Sequence, residues 1–265
     1  MRILYIGDVM GATGMKVVGQ VLPDLRKELK IDIVLAQAEN VTEGKGISLS
    51  DFQKLRSFGV DFCTGGNWTL NNSEIFPALS DPNQPIIRPA NYPVDTPGVA
   101  YKTLNHATGS VLVVSLLGSI VGKDADKFMD NPLKVIDNIL HENKLKNHVA
   151  TIVNFHGDYS SEKRIIGYYL DGKVTVVVGD HWHVPTADAM VLPNGTAHIT
   201  DVGMCGSLHS SLGVSLQSVI PRWRDGKITK NVLDVNRPYQ FNAVLVRSNK
   251  NGLADNITHI QRFLD

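Results

Sequence analysis

Polar side chains of the types that bind divalent metals stand directly after several apolar runs of the sequence. The runs cover residues 3–6, 33–38, 61–64, 151–155 and 174–178, and each is followed within a few positions by carboxylate, amide or imidazole groups. The residues are Asp8, Glu39, Asn40, Asn67, His156, His181 and His183. Each alone has a simple explanation as a turn, a cap or a hydrogen-bonded histidine. Because all seven share the same position relative to an apolar run, we expect them to form one metal site.

The elements that must position these residues are parallel strands alternating with helices. The apolar runs predict strands at 2–6, 33–38, 61–64, 150–155 and 174–178, and the segments between them predict a sheet covered by helices on both faces. Ligands of open α/β sheets bind at the carboxyl ends of the strands, where the seven residues stand. On an extended segment His181 and His183 would project to the same side and act on one site together.

Local signals set the expected helix boundaries. An apolar stripe from Val17 to Leu29 has helical spacing, and Pro23 within it is expected to break the helix and open a second short one. Ser48 and Asp51 resemble a capping box for a helix over 49–58 that Gly59 would end. Further helices are expected at 161–170 and from Asn131-Pro132 to about residue 142.

The middle and the end of the chain are less regular. Five prolines between residues 81 and 97 exclude regular helix or central strand, so this segment is expected to run over the surface. Two apolar runs, 99–104 and 111–116, follow and are joined by a turn containing Gly109. We expect a single domain over residues 1–265, with a β-rich flap or insertion, or an oligomer contact, around 81–130. The last seventy residues predict short strands and turns.

Composition excludes several classes of protein. Among 265 residues, 26 Lys and Arg balance 26 Asp and Glu, so no net field favours stable binding to nucleic acid or anionic lipid. The longest apolar stretch, 111–121, is shorter than the ~18 residues of a membrane span and contains Ser and Gly. The opening residues suit a first strand better than a signal peptide, and Cys63 and Cys205 are expected to be free thiols. We therefore expect a cytoplasmic protein. We also expect it to form a homo-oligomer.

A set of ordered motifs covers nearly the whole chain. They are Ile6-Gly7-Asp8-Val9, Ala38-Glu39-Asn40, Thr64-Gly65-Gly66-Asn67, Arg88-Pro89-Ala90-Asn91-Tyr92-Pro93, Asn154-Phe155-His156, Ser160-Ser161-Glu162-Lys163, Gly179-Asp180-His181-Trp182-His183 and Asp201-Val202-Gly203-Met204. In this order they resemble the YmdB-like branch of the calcineurin-like metallophosphoesterases. The resemblance implies a four-layer α/β/β/α sandwich and a two-metal phosphodiesterase of the kind that opens cyclic nucleotides.

The resemblance also implies how the ligands are divided. Asp8, Asn40 and His183 would surround one metal, Asn67, His156 and His181 would surround the second, and Glu39 would bridge both. Oxygen and imidazole ligands without thiolate suit iron or manganese, with zinc as a third choice. Two divalent ions clamp the attacking and leaving oxygens of an in-line displacement, and a hydroxide held between them would attack a phosphodiester.

Three residues depart from the family pattern. Trp68 stands where relatives carry a His thought to protonate the leaving oxygen, and an indole N–H is not an acid at physiological pH. Trp182 replaces a small residue between the two histidines, and Asn154 replaces an Asp. His209 is a weak candidate for a substitute acid, and His198 and His106 are weaker still.

Two functions fit these departures. In the first, a phosphodiesterase acts on cyclic nucleotides or related small phosphodiesters, with Trp68 and Trp182 as a stacking platform for a base. In the second, a metal- and nucleotide-binding regulatory protein has little turnover, because the acid is missing. Each Trp can also simply pack beside the site. The presence of all seven proposed ligands favours the enzyme.

Overall fold

The structure, a computed structural model, describes residues 1–119, 121–122 and 129–265. The part of the predicted flap that falls on residues 120 and 123–128 lies outside the described residues. Within the described ranges, none of the helices has the length and apolar character needed to cross a bilayer. Cys63 and Cys205 are buried free thiols, as predicted.

The described residues contain thirteen strands and six α-helices. The strands are β1 (Arg2–Ile6), β2 (Asp8–Val9), β3 (Ile33–Gln37), β4 (Phe62–Thr64), β5 (Tyr101–His106), β6 (Gly109–Leu117), β7 (Ala150–His156), β8 (Val176–Asp180), β9 (Met190–Val191), β10 (Ala197–Ile199), β11 (Met204–Ser207), β12 (Tyr239–Ser248) and β13 (Ala254–Leu264). The helices are α1 (Gly11–Glu28), α2 (Leu49–Ser57), α3 (Phe76–Ser80), α4 (Pro132–Asn143), α5 (Ser160–Tyr169) and α6 (Leu216–Asp225).

The strands form two sheets. The first has the order β2-β11-β12-β1-β3-β4, with β13 paired to β12, and the second has the order β5-β6-β7-β8-β10-β9. In the first sheet β1, β3 and β4 are parallel neighbours, and in the second β6, β7, β8 and β10 are parallel neighbours. Every predicted metal ligand lies at or just beyond the end of one of these strands, as the sequence predicted.

Three apolar cores separate four layers. One core packs α1 and α2 against the outer face of the first sheet, through residues such as Leu22 and Phe52. A second lies between the sheets, and a third packs α4 and α5 against the outer face of the second sheet. The predicted α/β/β/α sandwich is therefore confirmed. Both sheets are covered on both faces, which explains why their parallel strands are almost wholly apolar.

Helix α1 continues through Pro23, so the predicted break is wrong. Buried residues lie on both sides of the proline, with Val18 and Leu22 before it and Leu25 after it. The Pro23 ring itself is on the exposed face. Burying a continuous apolar stripe offsets the roughly 3 kcal/mol that an internal proline costs.

The proline-rich segment is irregular, as predicted, but it is not only a surface excursion. Ile86, Ile87 and Arg88 are buried, and Asn91 is fully buried. The Asn91 side chain donates to the carbonyl of Leu117 at 2.9 Å and accepts from its N–H at 2.8 Å. Irregular backbone can be buried here because strands of both sheets supply its hydrogen bonds: the N–H of Ile87 donates to the carbonyl of Cys63, and the N–H of Ala90 donates to the carbonyl of Ser115.

Two other regions differ from expectation. Strands β5 and β6 pair within the second sheet, so residues 101–106 and 109–117 of the predicted flap region are part of that sheet. The last seventy residues contain helix α6 and the long hairpin β12–β13, where only short strands and turns were predicted. Gln240 and Asn242 interrupt the apolar pattern of β12 but are buried and hydrogen-bonded, which concealed the strand in the sequence.

The N-cap of α2 provides a test of the fold. Ser48 Oγ accepts from the N–H of Asp51 at 3.1 Å, but the reciprocal half of the predicted capping box does not form, because the Ser48 N–H donates to Thr42 Oγ1 at 2.8 Å. Ser48→Ala should lower the free energy of unfolding by about 1 kcal/mol, because a helix N–H loses its partner. Urea unfolding measures this, with Ser57→Ala near the exposed end of the same helix as control. Equal stability of Ser48→Ala and wild type would contradict the assignment.

Candidate metal centre

The predicted ligands meet at the edge where the carboxyl ends of the parallel strands of the two sheets face each other. Asp8 lies in β2, Glu39 and Asn40 follow β3, and Asn67 follows β4; His156 ends β7, and His181 and His183 follow β8. Six of the seven are buried, and His181 is partly exposed. The first sheet therefore supplies the carboxylates and amides, and the second sheet supplies the imidazoles.

One half of the centre surrounds His156. Its Nε2 is 3.1 Å from Glu39 Oε1 and 3.0 Å from Asn67 Oδ1. Glu39, His156 and His181 each offer a ligand atom, and these atoms lie within 4.8 Å of one another. Three potential ligands at this separation can bind one divalent ion.

The other half surrounds Asp8. His183 Nε2 lies 3.6 Å from Asp8 Oδ1, and the N–H of His181 donates to Asp8 Oδ2 at 3.2 Å. His183 Nδ1 is 3.1 Å from the carbonyl of Leu212, which leaves Nε2 facing the carboxylate. The amide nitrogen of Asn40 donates to the carbonyl of Gly44 at 3.0 Å, so its oxygen is available.

Backbone geometry corrects one premise of the sequence analysis. His181 and His183 do not lie on an extended segment, since their φ angles are 100° and 62°. The chain turns sharply after β8, and left-handed backbone at two non-glycine residues is costly. The two rings contact different halves of the centre, His181 beside His156 and His183 beside Asp8.

Unpartnered buried oxygens show that the residues fit metal ions. Among the described residues, Asp8 Oδ1 and Asn40 Oδ1 are buried side-chain atoms without a hydrogen-bond partner. A buried acceptor without a donor costs about 1–3 kcal/mol, which a bound cation would remove. The donor set of carboxylate, amide and imidazole groups is the type that binds iron, manganese or zinc.

Charges within the centre strongly perturb its ionisation. Burial raises the pKa of Asp8 well above its ordinary value, and the nearby Asp180 carboxylate raises it further. Burial lowers the pKa of His156, but the carboxylates of Glu39 and Asp180 outweigh this effect and raise it well above the ordinary value. Burial and the neighbouring His181 lower the pKa of His183 to about 4. Perturbation of several clustered groups is typical of functional sites.

Sequence reasoning missed several residues that support the ligands. Asp180 accepts from His156 Nδ1 at 2.7 Å, and Asp158 Oδ1 lies 3.1 Å from His181 Nε2. Lys163 is fully buried and donates to the carboxylate of Asp201 at 2.7 Å. The Asp201 carboxylate also accepts from the N–H of Trp182 at 2.9 Å and so fixes the turn between the two histidines. Asp180, Lys163 and Asp201 stood within the quoted motifs, which was the available signal.

A cleft of about 340 Å³ opens onto the centre. Glu39, Asn40, His181 and His183 form part of its lining, and the remainder includes two indoles and two cations: Trp68, Trp223, Lys45 and Arg222. Lys45 Nζ lies 4.8 Å from the centre of the Trp68 ring. Trp223 and Arg222 lie on α6, a helix that the sequence did not predict.

Trp182, the other predicted stacking residue, does not line this cleft. Lys163 Nζ is 4.1 Å from the centre of its ring, and its Nε1 donates to the carbonyl of Asp158 at 3.1 Å. Trp182 is not among the described residues that line the cleft. Its contribution to substrate binding stays a prediction, whereas Trp68 stands at the cleft.

The structure does not bring the predicted substitute acids to the cleft lining. His209 is exposed and follows β11. His198 is fully buried in β10, with Nδ1 3.1 Å from the carbonyl of Val177. His106 pairs with Gly109 at the amino end of β6, whereas Leu117 at the carboxyl end pairs with His156, so His106 lies at the opposite edge of the sheet.

Solved structures share the fold of this chain. The α/β sandwich matches the crystal structure of a novel phosphatase from Mycoplasma pneumoniae with a TM-score of 0.91 and 28% identity, covering 100% of this chain and 94% of that one. A hypothetical protein from Thermus thermophilus gives a TM-score of 0.90 and 33% identity, with 100% of both chains covered.

The sequence comparisons agree with the structural ones. The model of the family described as YmdB-like protein matches residues 4–260. A 2′,3′-cyclic-nucleotide 2′-phosphodiesterase of Bacillus subtilis (strain 168) is 38% identical over 225 residues, which cover 84% of this chain and 83% of that protein. The chain belongs to the YmdB-like family.

Gly66 provides a test of the metal centre. A Cβ built on this residue would lie 2.6 Å from His156 Nε2 and in contact with Glu39 Oε2, so an added methyl group would occupy the space between two proposed ligands. Gly66→Ala should remain folded by circular dichroism but lose most of its metal in elemental analysis. Gly206→Ala is the matched control, because its Cβ would make only ordinary contacts, the nearest at 3.4 Å. Undiminished metal in Gly66→Ala would contradict the proposed position of the ions.

Proposed function

We propose that this chain is a dinuclear-metal phosphodiesterase that acts on cyclic nucleotides or related small phosphodiesters. The family and the named relatives support the broader activity in this proposal, the hydrolysis of phosphoric esters. The observation that carries the finer proposal is the convergence of seven possible ligands, two of them with unpartnered buried oxygens, beside one cleft that four of the seven line.

The two halves of the centre suggest two ion positions. Asp8, Asn40 and His183 would hold one ion, and Asn67, His156 and His181 would hold the other. Glu39 would be the bridge, since it adjoins Asn40 after β3 and its Oε1 lies 3.1 Å from His156 Nε2. Bound divalent ions would supply Lewis acidity and lower the pKa of water, as in other two-metal hydrolases. Iron or manganese, with zinc as the third choice, fits the donors.

The cleft walls favour an anionic substrate that carries a base. Lys45 and Arg222 provide positive charge close to the centre, although the chain as a whole is neutral. Arg222 is held by Thr229 and Asn231, with its Nη2 2.8 Å from Asn231 Oδ1. Trp68 and Trp223 offer aromatic faces on which a base can stack, and such stacking is worth about 1–3 kcal/mol per base.

Trp68 determines how the leaving group must depart. Its backbone N–H donates to Glu39 Oε2 at 2.7 Å, so the main chain at this position supports the proposed bridging carboxylate. The described histidines that line the cleft are the proposed ligands His181 and His183. The leaving oxygen would therefore depart without a dedicated imidazole donor, which favours substrates whose leaving group is a stable anion.

The presence of Trp68 at this position also favours a second function. With Trp68 in place of a proton donor, the chain would bind metal and nucleotide with little turnover and act as a regulatory protein. The two functions differ in rate rather than in ligand binding. Cytoplasmic location and a homo-oligomeric state remain predictions under either one.

Turnover of a panel of phosphodiesters separates the two functions. Metal-replete protein should hydrolyse bis(4-nitrophenyl) phosphate, and chelation followed by readdition of Mn²⁺ should abolish and restore the rate. The same preparation carrying Glu39→Ala is the control for contaminating hydrolases. Nucleotide binding without hydrolysis of any member of the panel would favour the regulatory protein.

Replacing Trp68 tests the role of the missing acid. Trp68→His should raise turnover of 2′,3′-cyclic nucleotides by up to ~10²-fold, because a ribose oxygen leaves poorly without protonation. Turnover of the nitrophenyl ester should change much less, since nitrophenolate is a stable leaving group. Both substrates are compared at matched metal content, with Trp68→Phe as the control for loss of the indole. Equal changes on the two substrates would contradict this role for position 68.

A further inference from the structure

The two nitrogens of His156 face different surroundings. Nε2 lies 3.1 Å from Glu39 Oε1 and faces the metal centre, whereas Nδ1 lies 2.7 Å from Asp180 Oδ1. Both His156 and Asp180 are fully buried. The ring therefore connects the centre to a second group of polar side chains behind it.

Strand register places Asp180 beside His156. The two residues are paired at the carboxyl ends of the parallel strands β7 and β8. Side chains of paired residues in neighbouring strands lie on the same face of a sheet. The contact is thus built into the sheet and does not depend on the loops around the cleft.

Three neutral donors converge on the other oxygen of Asp180. Oδ2 accepts from Asn154 Nδ2 at 2.6 Å, from Gln37 Nε2 at 2.9 Å and from Tyr5 OH at 3.0 Å. These side chains come from β7, β3 and β1, and therefore from both sheets. A carboxylate with this many donors is fixed in position as well as stabilised in its charged form.

Asn154 is suited to its position because it is neutral. Its amide oxygen lies 2.8 Å from Ser115 Oγ, which turns the amide nitrogen towards Asp180. A carboxylate at position 154 would place a second negative charge beside Asp180 Oδ2, where the Asn154 amide now stands at 2.6 Å. The pocket thus accommodates one carboxylate, and Asp180 provides it.

We infer that Asp180 is a positioning residue of the metal centre, whose carboxylate accepts the Nδ1 proton of His156 and so directs Nε2 to a divalent ion. Gln37, Tyr5 and Asn154 hold that carboxylate in place. The inference rests on the proposed function, because it requires His156 to be a metal ligand. Partners of this kind typically change metal affinity by 10- to 100-fold.

Zinc affinity tests the inference. Asp180→Asn should raise the Kd for Zn²⁺, measured by competition with a fluorescent chelator, by about 10- to 100-fold. Asp171→Asn is the matched control: Asp171 lies in the turn before β8 and accepts hydrogen bonds from the backbone of Asn194 and Thr196, far along the strand from the centre. The control should bind Zn²⁺ like wild type.

The outcomes of this experiment distinguish a failure of the inference about Asp180 from a failure of the proposed metal centre. Wild-type protein that binds no Zn²⁺ would overturn the metal centre and the inference together. Zn²⁺ binding by wild type and by Asp180→Asn with equal affinity would overturn the inference alone.

A measurement on the wild type applies even if Asp180→Asn does not fold. In ¹⁵N NMR spectra of the Zn²⁺-loaded protein, His156 should carry its proton on Nδ1, and the shift caused by zinc should fall on Nε2. A proton on Nε2 with zinc bound through Nδ1 would overturn the inference.

Discussion

A buried imidazole between two carboxylates joins the two sheets at their functional edge. His156 of the second sheet contacts Glu39, which follows a strand of the first sheet, and Asp180 receives hydrogen bonds from Tyr5 and Gln37 of the first sheet. Burying charged groups is costly unless each is paired and hydrogen-bonded. The apolar core between the sheets therefore ends in a polar layer whose geometry is tightly constrained.

This layer accounts for the charge requirements of the site. Although burial lowers the pKa of His156, the carboxylates of Glu39 and Asp180 raise it well above its ordinary value, and oxygens of Asp8 and Asn40 have no hydrogen-bond partner. Divalent ions would supply positive charge beside these carboxylates and would also satisfy those oxygens. The network that holds the sheets together is thus the network that prepares the ligands.

The sequence was sufficient for strands β1, β3, β4 and β7, and for β8 with an offset of two residues. It was also sufficient for the position of the possible ligands after these strands and, through the motif resemblance, for the four layers. It was insufficient where distant packing outweighed a local signal. Pro23 predicted a break, but burial on both sides of it preserved the helix. Trp223 and Arg222 reach the cleft only through the path of the chain after β11, which no spacing reveals. Asp180 adjoins His181 in the sequence, yet its contact with His156, 24 residues earlier, depends on the register of two paired strands.

Anomalous diffraction from crystals grown with Mn²⁺ tests the central claim most directly. We expect two peaks roughly 3.5–4 Å apart, one beside His156 Nε2 and the other beside Asp8 and His183, with Glu39 between them. A single peak, or two peaks away from these side chains, would contradict a dinuclear centre at the meeting edge of the sheets.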